Sequence, residues 1–186
     1  MMKGYLIFIP NMLSLIRIGM VYPILLWIAN EEFLNALALF IVASLSDALD
    51  GFLARRYNWH TSLGKLLDPI ADKALLIGTI IILWISGHIP LVVVILFLLR
   101  DALILIGAAF QMTVYEASTP SPNFLGKVTT ISQIIYLVLI FSEIIIPEVM
   151  LPELIHYLIS AITILSLIVY AKEWINSTIS LHNAKT

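Results

Sequence analysis

The chain contains no cysteine. Disulfides, thiolate zinc sites and cysteine nucleophiles are thereby excluded. Charge is scarce too: 12% of the residues are Asp, Glu, Lys or Arg, and the net charge is -2. No basic field exists to attract nucleic acid, so no nucleic-acid partner is expected. His60, His88, His156 and His182 show no metal-ligand spacing. Internal repeats and low-complexity tracts are missing. The apolar run 5–29 holds Pro10, Asn11, Arg17 and Pro23 and no small-residue cleavage site, so it reads as a retained first helix.

What fills the chain instead is hydrocarbon. Apolar residues make up 61% of it and its mean hydropathy is +1.03. Soluble domains hold about 45–50% apolar residues. We therefore expect one all-α membrane domain over 1–186, integral to a cytoplasmic or inner membrane. A bilayer-crossing helix needs about 20 apolar residues. Six segments approximate this: 5–29, 33–54, 66–86, 90–114, 124–147 and 152–172. They would form a single bundle of six transmembrane helices. The breaks are Asn30-Glu31-Glu32, the polar stretch 55–65, Gly87-His88-Ile89-Pro90, the 118–123 loop and 147–152. Lys3, Arg55, Arg56, Lys65, Lys73, Lys127, Lys172 and Lys185 fall on one side of this arrangement, and no Lys or Arg falls on the other. The positive-inside rule then puts both termini and the 55–65 loop in the cytoplasm. Trp27, Trp59, Trp84 and Trp174 lie near predicted span ends and read as an interfacial aromatic belt.

Against this background four carboxylates stand out: Asp47, Asp50, Asp68 and Asp72. Ionised groups inside membrane segments are costly and mark function. Asp47 and Asp50 are three apart near the end of the second span. Gly51 and Ala54 continue that face. Gly64, Asp68 and Asp72 form an i, i+4, i+8 ladder at the start of the third span. A short connection makes the two helices antiparallel neighbours, which brings the acids to one interface. Four unneutralised carboxylates there would repel one another and some would protonate. Oxygen-only donors select hard cations: Mg²⁺, Mn²⁺ or Ca²⁺. Gly51 and Ala54 keep the intervening face free of bulk, and Arg55 and Lys65 can offset phosphate charge. The set reads as metal ions plus a diphosphate. The plainer alternative makes the acids helix caps, or partners of Arg55, Arg56, Lys65 and Lys73.

The string Asp47-Ala48-Leu49-Asp50-Gly51-Phe52-Leu53-Ala54-Arg55, followed by Gly64, Asp68 and Asp72, resembles the signature of the CDP-alcohol phosphatidyltransferases at every defined position. Ile9-Pro10-Asn11-Met12-Leu13-Ser14 with Arg17 looks like that family's opening segment. Gly64 to Lys73, and Gly126-Lys127-Val128-Thr129-Thr130 with Gln133, look like its phosphatidylglycerophosphate synthase and cardiolipin synthase branch. The resemblance implies transfer of a phosphatidyl group from CDP-diacylglycerol to an alcohol, with release of CMP. It implies two Mg²⁺ or Mn²⁺ ions on Asp47, Asp50 and Asp68, with Asp72 beside them as general base and further metal-site residue. It also implies a CDP-diacylglycerol site from Asp47, Asp50, Gly51, Ala54, Arg55, Gly64 and Asp68, and a possible homodimer.

The acceptor alcohol is less sharply written. Arg100 sits within the fourth span and Lys127 begins the fifth, so both are candidates to bind an acceptor phosphate. Asp101 follows Arg100 directly, but points about 100° away around the helix and is expected to be a poor partner for it. A phosphate-bearing acceptor such as glycerol 3-phosphate suits these two cations, and so does phosphatidylglycerol, which would give cardiolipin. Arg100-Asp101 and the Thr119-Pro120-Ser121-Pro122 loop lean toward the eukaryotic-type cardiolipin synthases. A non-catalytic membrane scaffold or a cation-coupled transporter is the reading from a different class. The acids cluster beside a basic loop rather than at the bilayer midplane, which favours an enzyme acting on lipid.

Overall fold

A computed structural model describes residues 9–57, 64–114, 124–146 and 148–185. Among these residues the chain is all-helical. Six helices follow one another: α1 (Ile9–Ala29), α2 (Phe33–Tyr57), α3 (Gly64–Ile85), α4 (Leu91–Val114), α5 (Phe124–Ile145) and α6 (Leu154–Lys185). Trp59, His60 and the Thr119–Pro122 loop lie outside the described residues. Four of the helices are long and apolar enough to cross a membrane, over Met12–Ala29, Leu91–Val114, Leu125–Ile145 and Leu154–Ser180. The described apolar stretches of α2 and α3, Phe33–Asp47 and Lys73–Ile85, are shorter. Asp47, Asp50, Arg55 and Arg56 crowd the end of α2, and Lys65, Asp68, Asp72 and Lys73 crowd the start of α3.

Boundaries differ from the sequence expectation at two places. Arg55 and Arg56 belong to α2, which runs on to Tyr57. The last helix continues to Lys185 rather than ending at 172. No Gly or Pro interrupts residues 153–185, so nothing breaks the helix once it leaves the apolar stretch.

The chain divides into two compact units, residues 1–89 with 137–150 and residues 90–136 with 151–186. In the first unit, α1 packs along both α2 and α3. Its buried stripe runs through Ser14, Arg17, Ile24 and Ile28, the 3–4 spacing of one helix face. The facing stripe of α2 is Ala36, Phe40 and Ala43, and the two alanines let the backbones approach. Against α3 the close approach is made at Gly78, where an added Cβ would meet Leu25 at 3.3 Å. Phe40 and Phe141 add a ring contact with centroids 6.0 Å apart.

The turns of this unit reuse one device. Glu31 (φ 62°) ends α1 and Gly87 (φ 82°) ends α3, both in the left-handed region. Each is followed by a six-to-one backbone bond, Glu32 N–H to Trp27 O at 2.8 Å and His88 N–H to Leu83 O at 3.0 Å. These are Schellman caps, which satisfy the last carbonyls of a helix. Phe33 and His88 then meet edge to face with centroids 5.3 Å apart. The end of α1, the start of α2 and the end of α3 therefore lie at one end of the unit.

In the second unit, α4 packs on α6. Three bonds repeat along the pair. Tyr170 Oη donates to Ile104 O at 3.0 Å, Trp174 Nε1 to Gly107 O at 2.9 Å, and Gln111 Nε2 to Thr178 Oγ1 at 3.0 Å. The numbers rise together on both helices, so α4 and α6 are parallel. Trp174 therefore pins two helices together rather than only standing in an aromatic belt. Elsewhere in this unit Tyr136 Oη and His156 Nδ1 are 2.8 Å apart.

Candidate functional site

The geometry of α2 and α3 carries the carboxylates. Asp47 is fourteen residues beyond Phe33, and Asp72 is thirteen before Ile85. At 1.5 Å per residue both lie about 20 Å from the end where Phe33 meets His88. Asp50 and Asp68 are each seventeen residues from the same reference points, or about 25 Å along. The antiparallel run of the two helices thus sets the four acids at two matched heights. The side chains of Asp50, Gly51, Ala54, Arg55, Gly64, Asp68 and Asp72 lie outside the described residues. Their backbones lie in α2 and α3, and Asp47, Asp50 and Ala54 keep one 3–4 register.

Asp47 is described in full. It is the next step of the Ala36, Phe40, Ala43 stripe, so the packing that buries α2 against α1 delivers its carboxylate to α1. There Arg17 Nη1 donates to Asp47 Oδ1 at 2.6 Å. The pair is lopsided: the Arg17 side chain is 0% exposed and that of Asp47 is 38% exposed. Sequence reasoning assigned Arg17 no contact. The partner is thirty residues away, beyond the reach of any spacing rule, and it is not one of the cations near the acids in sequence. A single signal was available, a lone arginine inside an apolar helix.

These residues fit a hard divalent cation. The donors are oxygen alone, they come in two pairs at matched heights, and Asp47 is half-open with one oxygen held and Oδ2 as its second donor. The described residues by themselves contain no cluster of three metal-ligating side chains, since only Asp47 of the four acids is among them.

Arg100 and Lys127 belong to the second unit. Arg100 is buried, and Nη1 donates to Asp101 Oδ1 at 2.8 Å. Nη2 donates to Gly126 O at 2.9 Å. The expectation that Asp101 is a poor partner is therefore corrected. Successive residues do diverge around a helix, but the long arginine stem folds back across that angle. Arg100 ties α4 to the first turn of α5, where Gly126 O also accepts from Thr130 Oγ1 at 3.1 Å. Lys127, one residue on, is exposed.

Comparison with known proteins gives this arrangement its context. A CDP-diacylglycerol–glycerol-3-phosphate 3-phosphatidyltransferase of Aquifex aeolicus is 33% identical over 173 residues, covering 92% of this chain and 94% of that one. A protein of the same name from Mycoplasma genitalium is 35% identical over 70% of this chain and 63% of its own length. The human cardiolipin synthase (CMP-forming) is 36% identical over 68% of this chain, which spans about half of its length, 48%. The sequence profile of CDP-alcohol phosphatidyltransferases matches residues 7–171, a stretch holding every acid discussed above as well as Arg17, Arg100 and Lys127. The chain belongs to the CDP-alcohol phosphatidyltransferase family.

Proposed function

We propose that this protein transfers a phosphatidyl group from CDP-diacylglycerol to glycerol 3-phosphate, giving phosphatidylglycerophosphate and CMP for phospholipid synthesis. The observation that carries the reading is the near full-length likeness to the Aquifex transferase, joined to the paired acids of α2 and α3. In the reaction the acceptor hydroxyl attacks the lipid-side phosphorus of the diphosphate. A new P–O bond forms, the bond to the CMP phosphate breaks, and the hydroxyl proton goes to Asp72. Asp47, Asp50 and Asp68, with Asp72 beside them, would hold two Mg²⁺ or Mn²⁺ ions, which when bound would neutralise the diphosphate charge. Gly51, Ala54, Arg55 and Gly64 surround the nucleotide. Arg100 and Lys127 are the two cations we assign to the acceptor phosphate, on the sequence reading of their charge and position.

The reading further takes all six helices as spans, with both termini and the acids at the cytoplasmic face. The Lys and Arg distribution supports this orientation.

Phosphatidylglycerol as acceptor, giving cardiolipin, is the second reading. The human and Streptomyces coelicolor cardiolipin synthases, 36% and 38% identical, favour it. Purified protein given CDP-diacylglycerol with labelled glycerol 3-phosphate or labelled phosphatidylglycerol separates the two. We expect label in phosphatidylglycerophosphate, with CMP release dependent on glycerol 3-phosphate. Label appearing only in cardiolipin replaces the first reading by the second, and no CMP release with either acceptor overturns both.

A further inference from the structure

A guanidinium inside a membrane helix costs several kcal/mol. Arg17 is fully buried on the packed stripe of α1, eight residues into the helix. Stability alone is a weak reason to keep it there, because replacing a buried ion pair by apolar residues of similar volume is often neutral or stabilising. The exposure of the pair is informative. The arginine is the sealed end and Asp47 is the open end, at 0% and 38%. The cation is committed to the protein while the carboxylate remains accessible to a ligand.

The consequence for Asp47 is geometric. The terminal torsion of an aspartate is broad and roughly two-fold, so an unheld carboxylate swings easily between one-oxygen and two-oxygen coordination. Arg17 holds Oδ1 at 2.6 Å with a rigid planar donor. Asp47 is then left with Oδ2 for anything else. The grip is itself fixed, since α1 is wedged on α2 through Ala36 and Ala43 and on α3 through Gly78.

One-oxygen donation matters because divalent cations differ in what they accept. Mg²⁺ requires near-ideal octahedral coordination at short distance. Ca²⁺ takes six to eight oxygens and readily uses both oxygens of one carboxylate. We propose that Arg17 is a positioning residue that restricts Asp47 to a single metal-facing oxygen and so biases the site toward Mg²⁺ over Ca²⁺. The inference rests on the reading of Asp47 as a metal ligand.

Charge and geometry make separable predictions. Loss of a nearby positive charge raises affinity for Mg²⁺ and Ca²⁺ together. Loss of the grip on Oδ1 frees Asp47 to bind with both oxygens, which favours Ca²⁺ alone. The ratio of the two affinities therefore reports positioning and is blind to simple electrostatics.

The test uses the purified full-length chain in detergent, loaded with Mn²⁺ and followed by its electron paramagnetic resonance signal, with Mg²⁺ or Ca²⁺ as displacing ion. No turnover is involved. For Arg17→Met the preference for Mg²⁺ over Ca²⁺ should fall about tenfold, the scale at which groups behind a metal ligand act. Arg17→Lys, which keeps the charge but not the planar fork, should shift it partway. In an Asp47→Asn background Arg17→Met should leave the Mg²⁺ to Ca²⁺ ratio unchanged, because an amide has no second carboxylate oxygen for the lost grip to release. An unchanged ratio in Arg17→Met, with Asp47→Asn weakening Mn²⁺, overturns the positioning role and leaves Asp47 a ligand. Unchanged Mn²⁺ binding in Asp47→Asn overturns the ligand reading itself, and the inference with it. If Arg17→Met does not fold, the ratio in Arg17→Lys decides by the same criterion.

Discussion

Asp68 and Asp72 stand one helical turn apart on α3, yet the proposed reaction gives them different work. A ligand contributes to holding the metal and the diphosphate before any bond changes. A base contributes when the hydroxyl proton moves, typically about 10²–10⁴-fold in rate. Asp72→Asn should therefore lower kcat by about 100-fold or more and leave CDP-diacylglycerol binding within about threefold of wild type. The two quantities come from CMP release and from a direct binding titration. A parallel fall in both would make Asp72 a ligand. At this scale residue types are legible in the sequence and residue pairs are not. The four acids announce themselves by rarity in an oily chain. The Arg17 contact with Asp47 does not, because it is made by helix packing across thirty positions. The Arg100 contact with Asp101 was misjudged from ideal helix angles, which ignore the reach of a long side chain.

At the scale of elements, the α4–α6 pair shows what a glycine permits. A Cβ on Gly107 would stand 2.5 Å from Tyr170 Oη and 3.0 Å from Trp174 Nε1. Those atoms make two of the three bonds that join the helices. Gly107→Ala must push both side chains aside, so it combines overpacking with lost hydrogen bonds. We expect destabilisation of about 1–3 kcal/mol, seen as a lower melting temperature in detergent. Gly78→Ala is the contrast. Its new Cβ would meet the ends of the flexible Leu25 side chain at 3.3 Å, so a small shift suffices and the melting temperature should move little. Helix identity and order were legible from hydropathy, because each apolar run is bounded by Pro, Gly or charge. The parallel docking of α4 and α6 was not. It rests on Tyr170, Trp174 and Thr178 meeting backbone and side-chain groups some 63–67 residues earlier.

For the whole molecule the open question of physics is how α2 and α3 meet the bilayer. The helices themselves, at 25 and 22 residues, extend about 38 and 33 Å along their axes, against a hydrocarbon core of about 30 Å, and each carries its charges at one end. If both helices span, the acids fall near the far edge of the hydrocarbon, where headgroups, water and a soluble nucleotide can reach them. The cations at 55, 56, 65 and 73 then face the cytoplasm, as the positive-inside rule requires. If the two helices instead fold back without crossing, the connection between them stays on the side of the 30–32 and 86–90 turns. The two arrangements differ in where residue 58 lies. The native chain has no cysteine, so single substitutions report cleanly. In intact cells, a membrane-impermeant maleimide should label Glu31→Cys, His88→Cys and Glu148→Cys directly. It should label Asn58→Cys and Lys185→Cys only after permeabilisation. Direct labelling of Asn58→Cys together with Glu31→Cys would remove α2 and α3 from the spans and put the acids on the outer side. That outcome would separate them from any cytoplasmic pool of nucleotide and acceptor, so the orientation and the proposed reaction stand on the same measurement.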